Sequence, residues 1–229
     1  MKQKNLIRTA FPATLPVLAG YAVLGIGFGM ILKSKGYGVW WSLASAVFIY
    51  AGSMQYVMID LLTGGAGLLT TALTTLMVNA RHLFYGVSMV QEYQGAGRRK
   101  PYLIFALTDE TYSLVCSGAP EGVSKHAYFF AVSAFDQLWW IIGCVTGSLL
   151  GSALKINTEG LDFAMTALFI TVFVEQWLST RDHVPALIGL IASLICLLIF
   201  GTGSFLIPSM ICIAVLLTVK IQRGRGAEA

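Results

Sequence analysis

Asn79-Ala80-Arg81-His82-Leu83-Phe84-Tyr85-Gly86 is the stretch on which the reading of this chain turns. It lies inside an apolar run, residues 66–90, long enough to cross a bilayer as a helix. At a rise of about 1.5 Å per residue, Arg81 falls deep within such a helix and not at a headgroup. An arginine at that depth costs at least about 2.5–3.5 kcal/mol unless it is paired or wetted. Snorkelling to an interface is one escape. The flanking asparagine and histidine favour the other, a polar cavity or a counter-charge. Asn79 and His82 are three apart and share one helical face, and Arg81 and Tyr85, four apart, share another.

The rest of the composition agrees with a membrane setting. The 229 residues are 56% hydrophobic and only 11% charged, against about 25% charged in soluble domains. Mean hydropathy is +0.74. The expected fold class is an all-α polytopic membrane protein with eight apolar segments, at 11–32, 40–62, 66–90, 102–118, 127–150, 161–178, 184–201 and 204–220. In lipid every backbone polar group must bond internally, so these segments are helices. Lys2, Lys4 and Arg8 precede a run too long for a signal core, which reads as a first span with the N-terminus cytoplasmic. Lys220, Arg223 and Arg225 are too few for a nucleic-acid arm. Cys116, Cys144, Cys196 and Cys212 sit in apolar runs without metal or redox spacing and read as small buried hydrophobes.

Charge distribution bears on topology. If all eight segments cross, Arg98, Arg99 and Lys100 fall outside with Lys33, Lys35 and Lys155, a poor positive-inside bias. If 40–62 and 161–178 instead enter and leave on one face, the cluster moves inside and Lys33, Lys35 and Lys125 stay out. Those two segments also look alike: Ala46-Val47-Phe48-Ile49 resembles Ala167-Leu168-Phe169-Ile170, with Gln55 on Gln176 and Tyr56 on Trp177. The expectation is a single transport domain, 1–229, whose halves 1–118 and 127–220 form an inverted repeat with two broken or re-entrant elements.

Three constellations carry chemistry. Gly52 and Ser53 interrupt segment 40–62 and are the expected point of a break, whose freed backbone groups would face a solute; Gln55 adds an amide that donates and accepts. The second is Asn79, Arg81 and His82. The third is Thr108-Asp109-Glu110-Thr111-Tyr112, two adjacent carboxylates midway along segment 102–118. The expected pairing is Asp109 with Arg81, leaving Glu110 as the group that takes and releases a proton. A purely structural ion pair is the plainer alternative. Asp136 and Glu175 read as lying nearer an interface, with Trp139, Trp140 and Trp177 as aromatic anchors, and Asp60 and Asp162 read as segment ends. Metal-ligand spacing, nucleophile motifs and phosphate or dinucleotide loops are all missing from the sequence, so neither an enzyme nor a cofactor is expected.

At these residues the chain resembles the large subunit of the bacterial branched-chain amino acid exporters, the AzlC type of the azaleucine-resistance family. The matching motifs are Ala51-Gly52-Ser53-Met54-Gln55-Tyr56, Asn79 through Gly86, and Leu107-Thr108-Asp109-Glu110. Trp140 with Gly143 and Gly147, then Gly160-Leu161-Asp162-Phe163-Ala164, then Ala167 through Ile170 continue it over nearly the whole chain. Two departures are Ala80, where leucine is usual, and Thr166, where a proline often stands. The resemblance implies export of leucine, isoleucine and valine, with methionine as a further candidate, across the bacterial cytoplasmic membrane, coupled to the proton gradient. It also implies a small partner membrane subunit of the AzlD type. On that expectation Arg81 binds the substrate carboxylate, Asp109 its ammonium or Arg81 itself, and Glu110 or His82 carries the proton. The same polar set would serve a transporter or channel for another small solute, and an assembly subunit without a site of its own would turn these residues toward its partner.

Overall fold

The structure, a computed structural model, describes residues 6–153, 166, 170, 173–174, 177–178, 182–201 and 205–227. It divides into two compact units, Met1–Thr166 and Ala167–Ala229. In chain order the first unit holds α1 (Leu6–Ser34), α2 (Val39–Phe48), α3 (Gly52–Thr63), α4 (Leu68–Val78), α5 (Arg81–Met89), α6 (Lys100–Phe105), α7 (Asp109–Val115) and α8 (Lys125–Ala153). The second unit holds α9 (Val184–Phe200) and α10 (Leu206–Ala227).

α1 and α8, of 29 residues each, are long and apolar enough to cross a bilayer unbroken. Small residues let them touch backbone to backbone. A methyl group added to Gly29 would run into the Cys144 carbonyl, one on Gly143 into that of Tyr21, and one on Gly147 into that of Ile26. Each helix thus contributes a small-x-x-x-small pair, Gly25/Gly29 and Gly143/Gly147, the device by which apolar helices associate without a hydrophobic driving force. Their contacts rise together along both chains: Phe11 meets Phe135, Trp139 donates to Thr14, and Gly25 and Gly29 meet Gly143 and Gly147. The two helices are therefore parallel.

Segment 40–62 is a hairpin. The Gln55 amide donates to Ser45 Oγ at 3.1 Å, whereas ten residues of straight helix would separate them by about 15 Å. α2 runs against α8, with Ser42 bonded to the Cys144 carbonyl and Gln137 bonded to that of Val47. The second of these bonds satisfies a carbonyl orphaned where α2 ends. α3 turns back along α1, where Tyr56 donates to the Leu24 carbonyl at 2.7 Å and packs its ring on Phe28. The turn is Ile49–Ala51, immediately before the expected break, and Gly52 opens the new helix. Tyr50 sits there at φ +43°, left-handed backbone that costs a bulky residue strain.

Segments 66–90 and 102–118, expected to be continuous, are also broken. The first is interrupted at Asn79-Ala80 between α4 and α5, and α5 leads to the start of α8, where Lys125 pairs with Glu92 at 2.6 Å. The second reverses at Ala106–Thr108. Tyr102 of α6 and Thr111 of α7 reach neighbouring residues of α8, Gln137 and Asp136, although nine residues of straight helix would set them about 13 Å apart. α7 then returns to the cluster of Ala10, Val115, Tyr128 and Phe129. Because 102–118 turns back instead of crossing, α8 starts at the same end of the unit as α1. An inverted second half would run α8 antiparallel to α1, so the structure corrects the inversion expected of halves 1–118 and 127–220. Its other expected broken element, 161–178, lies largely outside the described residues, as do Asp162 and Glu175.

The outward surface is apolar. No residue of α4 is buried, and Leu68 is 91% exposed beside Leu69 and Leu76. Continuous exposed apolar faces of this kind belong against lipid or a partner helix. In the second unit α9 and α10 form an antiparallel pair. Gly201, at φ +70°, ends α9, and Lys220 near the end of α10 bonds Asp182 just before α9 begins.

Candidate functional site

Three helices begin at one place. α3 starts at Gly52, α5 at Arg81 and α7 at Asp109. The Arg81 guanidinium spans them: Nη1 lies 2.7 Å from Asp109 Oδ2, and Nη2 donates to Ser53 Oγ at 2.6 Å. The two side chains of the ion pair are 34% and 32% exposed, so the pair is open to small molecules and not sealed in the core. A cation at a helix N-terminus is disfavoured by the dipole, by about 0.3–1 kcal/mol, and Asp109 offsets this for Arg81. The planar fork of arginine holds the carboxylate and the hydroxyl on two separate nitrogens, a spacing that the single nitrogen of lysine does not offer.

Several polar atoms here are left over. Asp109 Oδ1, Arg81 Nε and Asn79 Oδ1 are enclosed without a hydrogen-bond partner among the described residues. No side chain caps the start of α3, so its first N–H groups are also open to an acceptor. Leaving such groups unmet costs about 1–3 kcal/mol each. Around one ion pair they offer both donors and acceptors.

Glu110, next to Asp109, faces the other way. Its Oε2 accepts from Tyr21 at 2.9 Å, and Tyr21 lies 3.0 Å from Thr108 Oγ1. Thr108 also caps α7 by accepting from Thr111 N. Asp136 is fully enclosed on α8, with Oδ2 accepting from Thr111 at 2.8 Å. The aromatic neighbours had suggested an interfacial position for it, and the structure corrects that. The signal available in the sequence was the acid itself, placed mid-run in an apolar segment.

The remaining expected residues separate. Gly52 lies beneath Trp140, whose ring would be 3.2 Å from an added methyl group, so this glycine makes room for the indole. Gln55 is fully buried and engaged, donating to Ser45 and accepting from Trp140 Nε1 at 2.7 Å. It ties α3 to α2 and α8 and does not join Arg81. His82 has Nδ1 at 3.1 Å from the Asn79 carbonyl and its ring edge-on to Tyr85, apart from both acids. Tyr85 in turn stacks on Tyr112, with centroids 5.1 Å apart, joining α5 to α7 beside the ion pair.

The chain matches the AzlC protein family over residues 16–154. It is 44% identical, across 96% of its length and 87% of the relative's, to a protein of Bacillus subtilis (strain 168) named branched-chain amino acid transport protein AzlC. It is 41% identical to an uncharacterized membrane protein of Helicobacter pylori (strain ATCC 700392 / 26695), over 89% of this chain and 90% of the relative. An uncharacterized membrane protein of Haemophilus influenzae is 38% identical over 94% of this chain and 89% of its own. No solved structure matches the chain.

Proposed function

The chain belongs to the AzlC family, and from that premise we propose that it exports branched-chain amino acids across the bacterial cytoplasmic membrane in exchange for protons. It does so as the large subunit beside a small membrane protein of the AzlD type. The observation that carries this reading is the Arg81–Asp109 pair, open to solutes and ringed by unmet polar atoms. A zwitterion fits it. The amino acid carboxylate takes Arg81 and the free N–H groups of α3, and its ammonium takes Asp109. When the site empties, Arg81 and Asp109 neutralise each other. The site is neutral loaded or empty, so neither state leaves an uncompensated charge in a low-dielectric setting.

Proton coupling falls to Glu110 in preference to His82, since Glu110 alone of the two is bonded into the polar interior. Arg8, Arg98, Arg99, Lys100 and Lys125 belong to the end of the first unit where α1 and α8 begin, and Lys33 and Lys35 to the other. That asymmetry supports a cytoplasmic N-terminus. Both hairpins are then re-entrant, one from each face.

The test is labelled-leucine movement in proteoliposomes containing both subunits under an imposed pH gradient. Gradient-dependent transport that Arg81→Ala and Asp109→Asn each lower by about 10- to 100-fold, the worth of a charge-assisted hydrogen bond, is the expected result. Transport indifferent to the gradient, or to both substitutions, would overturn it.

A further inference from the structure

Asp136 is a fully enclosed acid that the binding site does not use. No cation is paired with it among the described residues, and its Oδ1 has no partner there. An ionised carboxylate so placed costs several kcal/mol, while the neutral acid does not. It is not isolated, however. Glu110 Oε2 to Tyr21 is 2.9 Å, Tyr21 to Thr108 is 3.0 Å, Thr108 to Thr111 is 3.2 Å, and Thr111 to Asp136 Oδ2 is 2.8 Å. These four links join two carboxyl groups through three hydroxyls and draw on α1, α7 and α8.

Counting hydrogens gives the chain its meaning. Each hydroxyl brings one hydrogen, so with both carboxyls ionised three hydrogens serve four links and one link stays empty. One added proton fills the chain. Placed on Glu110, it makes every bond point toward Asp136: Glu110 donates to Tyr21, Tyr21 to Thr108, Thr108 to Thr111, and Thr111 to Asp136. If each group passes on one proton and accepts one, the result is Asp136 protonated, Glu110 ionised and every bond reversed. No oxygen gains or loses a hydrogen except the two acids. Thr108 keeps a lone pair for Thr111 N in either direction.

We propose that Glu110 and Asp136 share one proton through the Tyr21–Thr108–Thr111 hydroxyl chain, making Asp136 the inner proton-binding group of this protein. The groups facing the pair from every packed element are hydroxyls or acid. Tyr21 stands on α1, Tyr50 at the α2–α3 turn, Tyr85 on α5, Tyr102 on α6 and Tyr128 on α8 itself. Arg81, on α5, is held by Asp109 and Ser53. Glu110 thus sits where the relay meets the substrate-binding pair, and Asp136 stores the proton out of the solute's reach. The part this plays in transport rests on the proton-coupled reading above; the shared proton itself does not.

The experiment is infrared spectroscopy of the full chain in membranes at neutral pH, following the deuterium-sensitive C=O stretch of protonated carboxyls. The wild type should show one carboxyl's worth of band that disappears in the Glu110→Gln/Asp136→Asn double variant. Thr111→Val, which keeps the shape and removes the central hydroxyl, should displace that band, and Thr111→Ser should return it. In proteoliposomes Thr111→Val should slow gradient-driven leucine transport by about 100-fold, the contribution of a positioned proton-transfer group, and Thr111→Ser should restore it. Two such bands, none, or a band unmoved by Thr111→Val would overturn the proposal, as would undiminished gradient-driven transport in Thr111→Val. Should wild-type transport ignore the gradient, the functional reading falls and the infrared result alone judges the relay.

Discussion

The pairing of Arg81 with Asp109 was legible because the cost of an arginine in an apolar run demanded a partner, and only a few acids were available. The second bond of Arg81, to Ser53, was not legible, because it depends on where the chain turns 28 residues earlier. Arg81→Lys keeps the charge but replaces the two separate nitrogens that bond Asp109 and Ser53 by one. Apparent leucine affinity should fall by about tenfold, near the 1–1.5 kcal/mol of one hydrogen bond, as read from transport at varied concentration. Gln55 shows the opposite failure. An amide in an apolar helix looked free for a solute, yet its oxygen holds Trp140 and its nitrogen holds Ser45. Gln55→Leu strands a buried indole N–H, so it should cost about 1–3 kcal/mol of stability, measured as loss of thermal stability in detergent, with substrate contacts left in place.

At the level of elements, broken helices put the ends of the backbone where the side chains are. One polar residue in a lipid-facing helix is expensive, but three helix starts gathered at one ion pair bring main-chain donors to the same place as the polar side chains. The parallel α1–α8 contact depends on missing side chains. Gly29→Ala presses a methyl group into the Cys144 carbonyl and should cost about 1–3 kcal/mol, lowering the melting temperature by roughly 2–4 °C per kcal/mol. Gly20, with open space around it, serves as the control. In the second unit Lys220 holds the Asp182 carboxyl below its ordinary range, and the Val184 N–H adds to the effect. The lowered value means this clamp on the start of α9 is present at neutral pH. It is lost only as pH falls through that depressed value, below the usual carboxylate range. Hydrogen exchange at the first turn of α9 should rise at that acidity and not before.

For the molecule as a whole, the decisive feature is that two apolar segments of ordinary spanning length turn back halfway. Single cysteines at Ser34 and Ala66, in a background without the four native ones, should label from one side of the membrane. Those at Arg98 and Ser124 should label from the other. Labelling of Ala66 and Arg98 from the same side would defeat the hairpin topology. Charge asymmetry hinted that 40–62 reverses, but it could not separate 102–118 from a crossing segment, because letting 102–118 reverse and 161–178 cross only exchanges Lys125 with Lys155 and leaves the balance unchanged.

The membrane setting, the helical class and the identity of the ionic residues follow from the sequence alone, since the cost of burying charge and backbone in hydrocarbon is a property of residue types. The direction of each segment, the partnership of Asp136 with Glu110 and the diversion of Gln55 came only with the tertiary structure. Length and hydropathy are the same for a helix that crosses and a hairpin that returns. Only packing against α1 and α8 distinguishes them.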